Sequence, residues 1–279
     1  MNNMSTTIEK LPRKTYKLTI TVDKTAVDTA FEHTLKHFAE HVKVEGFRQG
    51  KTPINIVKDK VDKSKLNGEV INNLVPEHYT NALKEYKLNP IINPKIEITQ
   101  FEEGKDLIFT ATVVEKPEIV LGDYKTVLKT LKTDNKEKPA LDIILNKIIE
   151  VSKIEIPQTL IDEEVTNMFS NLIDQTARLG ITVEDYLKTN NKTVETLKVE
   201  YAKTAEYNLK TDFLLNEIAG IEKIEVSEED VQKTIDAAPD EKTKAALSND
   251  NQKWYIKSVL KKNKVVQYLI NFTFEKEKK

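Results

Sequence analysis

Three of the four histidines recur at a spacing that can place metal ligands side by side on a helix. They are His33, His37 and His41, and imidazole rings one helical turn apart can bind an ion together. The neighbouring apolar positions repeat on a different side of the same predicted helix, at Phe31, Leu35, Phe38 and Val42. The histidines therefore lie on the flank turned away from the core. The sequence favours a solvated helix surface here, and we expect no bound metal.

The other reactive side chains do not form a catalytic pattern. Adjacent carboxylates occur at Glu102-Glu103, Glu163-Glu164 and Glu228-Glu229, where a loop or a first helical turn accounts for the negative charge. Cysteine is absent, which excludes thiol catalysis, disulfides and thiolate zinc sites. Only seven residues are glycine, and the chain contains neither GxGxxG nor a P-loop motif. We therefore expect no catalytic residue and no cofactor.

One short segment combines residue types that suit recognition. In residues 44–53, VEGFRQGKTP, Gly46 and Gly50 flank an aromatic ring and a guanidinium. Glycine permits a sharp turn at both ends, which would present Phe47 and Arg48 at the tip of a loop. An aromatic side chain beside an arginine is typical of interface hot spots. A turn between helices with Phe47 packed into the core is the alternative, and the residue pattern leaves both interpretations open.

The second half of the chain carries a mixture of flexible, aromatic and aliphatic side chains at helical spacing. The candidates for binding other polypeptides are Met168, Phe169, Leu172, Ile173, Tyr186 and Tyr201. Core packing is the default interpretation of such stripes. The alternative is a set of helices that leaves apolar faces exposed for weak, non-specific contacts with unfolded segments. Periodicity alone does not separate the two.

The elements that must position the glycine-containing segment form an α/β unit. Alternating apolar residues predict a strand over 15–22, and an amphipathic helix is predicted after Asp23. Further helices and strands follow, at residues 54–57, 64–86, 96–98 and 107–113. The predicted order is βαααββ, in a domain of residues 1–116.

The pattern of residues 117–279 predicts a linker followed by a helical domain. Residues 117–139 are charged, bounded by prolines and weakly periodic, so we predict a linker. Residues 140–279 keep helical spacing almost throughout, and Ser227 with Asp230 predicts a capping box at one helix start. The predicted fold class is α+β, with the α/β domain followed by a mainly α-helical domain with arm-like helices.

The charge and hydropathy of the sequence indicate which classes of partner the protein can bind. The 43 basic and 45 acidic residues nearly balance, which argues against a general polyanion binder. Residues 41–65 are the exception, with seven basic against three acidic side chains, so any contact with RNA is expected in this stretch. No apolar run approaches the ~18 residues of a membrane helix, and the N-terminus has no apolar leader. We expect a cytoplasmic protein without membrane contact.

Two segments carry a resemblance to a known family. Residues 46–57, GFRQGKTPINIV, resemble the signature of bacterial trigger factor, and residues 154–165, IEIPQTLIDEEV, are similar to the start of that family's chaperone arms. The resemblance implies an ATP-independent chaperone that docks on the large ribosomal subunit at the nascent-chain exit tunnel and holds unfolded nascent polypeptides. Ribosomal contact would involve a protein at the tunnel exit, adjacent RNA, and the residues Gly46, Phe47, Arg48, Gln49, Gly50 and Lys51. Some relatives also form homodimers off the ribosome.

Two features depart from the family pattern. Gln49 stands where the family often has a lysine, which removes one positive charge. The predicted linker stands where full-length relatives carry a peptidyl-prolyl isomerase domain of the FKBP type, so we expect no isomerase activity. The alternatives are a ribosome-independent holdase or assembly factor, and an active isomerase.

Overall fold

The chain forms two compact units. The computed structural model describes residues 4–41, 47, 53–131 and 140–274, and the units are Met1–Lys116 (unit 1) and Pro117–Lys279 (unit 2). Unit 1 contains an antiparallel sheet and unit 2 is mainly helical, which confirms the α+β class. None of the helices in these ranges combines the length and the apolar character needed to cross a bilayer.

A four-stranded antiparallel sheet forms the base of unit 1. Its strands lie in the order β1-β2-β4-β3, with the bounds β1 (Met4–Leu11), β2 (Thr15–Val22), β3 (Lys95–Gln100) and β4 (Leu107–Val114). In the central pair Leu18 lies opposite Ala111 and Ile20 opposite Phe109. All four are buried. Because side chains alternate between the faces of a strand, this register gathers the apolar residues on one face.

Three helices belong to unit 1, with the bounds α1 (Lys24–His41), α2 (Ile54–Lys60) and α3 (Lys63–Tyr86). Val27 and Phe31 of α1 and Val70 of α3 join the buried strand residues in one core. The ring of Phe31 stacks on that of Phe101 with centroids 5.6 Å apart. The helices thus cover the apolar face of the sheet.

The order of elements in unit 1 is ββαααββ, so the predicted βαααββ order was one strand short. β1 pairs along its whole length with β2, from Met4 opposite Val22 to Leu11 opposite Thr15. It is an edge strand whose residues are mostly exposed. An edge strand is held largely by backbone hydrogen bonds, so it needs few apolar residues, and the sequence MSTTIEKL lacks the alternation that would reveal it.

Unit 2 is helical apart from two short strands. Its elements are β5 (Ile119–Val120), α4 (Tyr124–Thr130), α5 (Leu141–Val151), β6 (Lys153–Ile154), α6 (Gln158–Arg178), α7 (Val183–Thr189), α8 (Val194–Ile221), α9 (Glu228–Asp236), α10 (Glu241–Leu247) and α11 (Asp250–Phe274). The long helix α8 packs against α5, α6 and α11, while α9 and α10 pack against α11. The predicted capping box at Ser227 is present at the start of α9.

Most of the predicted linker is ordered structure of unit 2. Ile119 of β5 pairs with Ile154 of β6, and α4 buries Tyr124 and Leu128. Tyr124, Val127, Leu128 and Leu131 do have helical spacing, but they extend over only about two turns within a charged segment bounded by prolines, and the prediction of a linker gave that composition more weight. Residues 132–139 lie outside the described residues.

Candidate functional site

The glycine-flanked loop (residues 46–51) follows α1, and the structure places one of its side chains. Phe47 exposes 41% of its surface, which contradicts the alternative in which it packs into the core. A partner that covered this ring would gain about 1.5–3 kcal/mol from its burial. The other predicted loop residues, Gly46, Arg48, Gln49, Gly50 and Lys51, lie outside the described residues.

The chain on both sides of the loop is attached to the core of unit 1. Before it, α1 buries Ala39 in its last turn. After it, the carbonyl of Pro53 accepts hydrogen bonds from the N–H groups of Ile56 at 3.0 Å and Val57 at 3.1 Å, and the Val57 side chain is fully buried. The loop therefore joins two anchored helices, which limits the positions that Phe47 can reach.

A basic surface (Lys58, Lys60, Lys63 and Lys65) follows the loop along α2 and the start of α3. Lys58 is paired with Glu103 at 2.5 Å, so its charge is partly neutralised. The other three lysines are exposed and make no ion pair within the described residues. Three unpaired ammonium groups within six residues form a local positive surface that suits a phosphate backbone.

The histidines of α1 are exposed, in agreement with the solvated flank predicted from sequence. The rings of His37 and His41 meet edge to face with centroids 5.0 Å apart. Within the described ranges, no group of three or more His, Asp or Glu side chains is arranged to hold a metal ion.

A small apolar cluster in unit 2 contains several of the predicted polypeptide-binding residues. Leu172, Leu187 and Leu197 are its buried centre, with Phe169, Tyr186 and Tyr201 packed around them. The rings of Phe169 and Tyr201 lie 5.0 Å apart. Leu172 is only 5% exposed, so it is a core residue rather than a contact surface, because α7 and α8 cover this side of α6.

The remaining candidates of α6 are accessible to different degrees. Ile173 exposes 54% of its surface, whereas Met168 and Phe169 are half-buried. A cleft of about 600 Å³ lies between α6 and α8, and its lining includes Val165, Phe169 and Val199. Ile173 follows Phe169 by one helical turn and so extends the same face. We call this surface the α6–α8 cleft.

Sequence reasoning missed several exposed apolar residues of unit 2. Val199 exposes 57% of its surface and Val194 exposes 52%, and Leu179 and Ile181 are also exposed at the end of α6. A signal for Val199 was present in the sequence. It lies off the stripe formed by Leu197, Tyr201 and Ala205, and an apolar residue outside the core stripe of a helix faces solvent or a partner. Val194 shares the face of that stripe but is the first residue of α8, so periodicity gave no sign of its exposure.

One carboxylate joins three elements of unit 2. Glu222, at the end of α8, accepts hydrogen bonds from the Tyr124 hydroxyl at 2.5 Å and the Tyr268 hydroxyl at 2.8 Å, and pairs with Lys125 at 2.7 Å. Burial disfavours the Glu222 anion, but these three donors outweigh it and hold the pKa of Glu222 below its ordinary value. Burial, together with the bond to Glu222, raises the pKa of Tyr124. The contact fastens α4 and α11 to α8.

Comparison with protein families covers both units. The family model for bacterial trigger factor protein matches residues 4–143, and the model for its C-terminus matches residues 123–271. The chain belongs to the bacterial trigger factor family. The matched ranges include the glycine-flanked loop of unit 1 and the α6–α8 cleft of unit 2.

Curated trigger factors from several bacteria are similar in sequence. The trigger factor of Desulforamulus reducens is 37% identical over 193 residues, which cover 66% of this chain and 43% of that protein. That of Clostridium acetobutylicum is 33% identical over 178 residues, covering 64% of this chain and 36% of the relative. That of Staphylococcus aureus strain JH9 is 29% identical over 232 residues, covering 78% and 54%. The chain thus spans about a third to a half of the length of these relatives.

A solved trigger factor structure shares the fold. It is described as "Promiscuous Substrate Recognition in Folding and Assembly Activities of the Trigger Factor Chaperone", and it aligns with a TM-score of 0.68 over 96% of this chain and 100% of the solved chain. Sequence identity in that alignment is 12%. The trigger factor fold is therefore retained across a wide sequence difference.

Proposed function

We propose that this chain is an ATP-independent, ribosome-associated chaperone of nascent polypeptides. In this proposal unit 1 docks at the exit tunnel of the large subunit through the glycine-flanked loop, and unit 2 holds unfolded segments along the α6–α8 cleft. Membership of the trigger factor family supports the general role. The observation that carries the docking step is the exposure of Phe47. Such a protein would act in the cytoplasm, where nascent chains emerge.

Docking would use one apolar side chain with positively charged side chains next to it. Phe47 supplies the apolar area, and the proposed neighbours Arg48 and Lys51 supply cations next to it. The basic surface extends this charge toward ribosomal RNA beside the docking protein. An exposed ion pair contributes only about 0–1 kcal/mol, less than the burial of the phenyl ring. Phe47 is therefore the residue whose loss should matter most.

Holding would use apolar surface that unit 2 leaves uncovered. The lining of the α6–α8 cleft includes half-buried Phe169 and exposed Val199, together with Lys198 and Asp162. Contacts of this kind are weak and tolerate many sequences. Docking raises the local concentration of the cleft near the emerging chain, so weak contacts suffice.

Co-sedimentation with ribosomes tests the docking step. The Phe47→Ala variant should bind ribosomes about ten- to hundredfold more weakly, as expected for the loss of about 1.5–3 kcal/mol of apolar burial. The variant in which Phe47, Arg48 and Lys51 are all replaced by alanine should remain in the supernatant. The matched control is Trp254→Ala, which removes an aromatic side chain that is 73% exposed in unit 2 and should pellet like the wild type. Equal pelleting of all four proteins would refute the docking role of the loop.

The holding step is tested without ribosomes, by following the aggregation of a chemically unfolded client by light scattering. A variant with Val199→Ser and Ile173→Ser should suppress aggregation less well than the wild type. Val120→Ser is the control, because Val120 is 53% exposed but lies on β5. Full suppression by a wild type that does not pellet with ribosomes would instead favour a ribosome-independent holdase.

A further inference from the structure

A groove on the helical side of unit 1 takes no part in the docking or holding proposed above. It has a volume of about 860 Å³ and runs between α1 and α3. Its lining includes Ala26, Thr29, Ala30 and His33 of α1 and a polar row of α3, Asn73, Glu77, Asn81 and Glu85. None of these residues belongs to the glycine-flanked loop, the basic surface or the α6–α8 cleft.

The α3 wall of the groove is a regular ladder of hydrogen-bonding groups. Asn73, Glu77, Asn81 and Glu85 follow one another every four residues, and all are exposed. At a rise of about 1.5 Å per residue they lie about 6 Å apart along the helix and together extend over about 18 Å. Each amide offers a donor and an acceptor, and each carboxylate offers only acceptors.

The α1 wall presents two methyl groups together with the larger side chains of Thr29 and His33. Ala26 and Ala30 are half-buried beside the groove. Side chains no larger than a methyl group leave room for another backbone to approach the ladder closely. At the two alanines the groove therefore leaves room for a slender, extended ligand.

A buried histidine supplies a polar group within the groove. His78 is 8% exposed and lines the cavity, and its Nδ1 lies 3.3 Å from the sulfur of Met4. Its Nε2 makes no hydrogen bond with any described residue. Burial lowers the pKa of His78, although nearby Glu77 partly opposes this, so the ring is neutral near pH 7. A neutral imidazole with one unused nitrogen is a polar group that a ligand can satisfy.

The charge of the groove selects the kind of ligand. Glu77 and Glu85 line it, and no lysine or arginine does. Neither glutamate forms an ion pair with another described residue. A phosphate-bearing ligand would be repelled, whereas an ammonium or guanidinium group would be attracted.

We propose that this groove binds an extended, lysine-containing peptide segment of about five residues. In an extended chain, residues two apart lie about 6.6 Å from each other, close to the 6 Å steps of the ladder. Residues four apart lie about 13 Å from each other, which is close to the rise of about 12 Å along the helix axis from Glu77 to Glu85. Two lysines at that spacing would reach both carboxylates, while Asn81 between them bonds the peptide backbone.

Binding of short peptides to the full chain is measured by fluorescence anisotropy at low ionic strength. The measurement tests whether binding requires positive charge on the peptide and the proposed spacing of its two lysines. The probe is a fluorescein-labelled Lys-Ser-Ala-Ser-Lys amide. A Lys-Lys-Ser-Ala-Ser amide has the same composition but places its lysines on opposite sides of the extended chain, so it should bind about two- to fivefold more weakly. A Glu-Ser-Ala-Ser-Glu amide should not bind. No binding of the probe at millimolar concentration, or equal binding of the acidic peptide, would overturn the proposal.

Variants of the ladder assign the binding to the groove. Glu77→Gln and Glu85→Gln should each lower the affinity for the probe about two- to fivefold, the effect expected for one exposed ion pair. The matched control is Glu32→Gln, because Glu32 is an exposed glutamate of α1 outside this groove. Ala30→Leu should block binding by filling the groove, with far-ultraviolet circular dichroism used to show that the helices remain. Unchanged affinity in both ladder variants, or equally tight binding of N-acetyl-lysine amide alone, would refute a peptide site.

Discussion

At the scale of single residues, Glu222 shows how one charged group can hold distant parts of unit 2. Its carboxylate meets a tyrosine 98 residues earlier in the chain and another 46 residues later. The Glu222→Gln variant keeps the shape but loses the attraction to Lys125. We expect it to lower the free energy of unfolding by about 1–2 kcal/mol at pH 7, measured by urea denaturation.

The pH dependence of the same variant provides a second measurement. The folded-state pKa of Glu222 lies below its ordinary value. Its stabilisation is therefore present above the unfolded-state pKa, about 4.3, and is lost as the pH falls through the folded-state pKa. The free energies of unfolding of the wild type and of Glu222→Gln should therefore become equal at a pH below the folded-state pKa of Glu222. Glu229→Gln, which breaks an exposed pair with Lys233, should cost less than about 0.5 kcal/mol, and an equal cost in both variants would contradict this role of Glu222.

At the scale of elements, Gly122 allows the start of α4 to approach the end of α5. A Cβ atom at Gly122 would lie 2.0 Å from the carbonyl oxygen of Val151, a distance that neither backbone can accept. Gly122→Ala should therefore destabilise the protein by about 1–3 kcal/mol, measured as a loss of unfolding free energy. The control is Gly220→Ala within α8, where nothing lies within 4 Å of the added methyl group.

The control should change stability in the opposite direction. Alanine is favoured over glycine inside a helix by about 1 kcal/mol, so Gly220→Ala should leave the protein as stable or more stable. If Gly122→Ala were equally well tolerated, the close approach of Gly122 to the carbonyl of Val151 would be incorrect.

At the scale of the whole molecule, the segment that joins unit 1 to the long helices of unit 2 lies where relatives carry a catalytic domain according to the family resemblance. Between β4 and α5, the described residues form only β5 and α4, where the family resemblance would place an isomerase domain. The resemblance leads us to expect no prolyl isomerisation by this chain, and a rate measurement tests that expectation. Its rate on a short proline-containing peptide should equal the uncatalysed rate, with a time constant of about 10–100 s at 25 °C. A faster, concentration-dependent rate would contradict this expectation.

Elements with long, regular patterns were predictable, whereas short or edge elements were not. The helices at 64–86 and after Asp23 follow from apolar spacing over several turns, and α9 follows from its capping box. β1 was missed because backbone pairing to β2 holds an edge strand that has little apolar content. α4 was missed because its apolar pattern covers only about two turns and lies in a charged segment between two prolines.

The candidate site was predicted in part. Its residue types and spacing identified the segment around Phe47, and the structure shows that side chain to be exposed. Leu172 and Ile173 are adjacent apolar residues of one helix, yet the first is buried and the second is exposed. Which face of α6 is covered depends on where α7 and α8 pack, and this is not encoded in the local pattern.

By itself, the sequence determined the α+β class, the helical second half and the resemblance to the trigger factor family, because periodicity and motifs are properties of consecutive residues. Only the tertiary structure decided the exposure of Phe47, the burial of Leu172, the bonds of Glu222 and the groove between α1 and α3. Each of these depends on residues far apart in the chain. They meet only when packed helices cover some faces and leave others open, since burial and charge pairing are set by the neighbours that folding brings together.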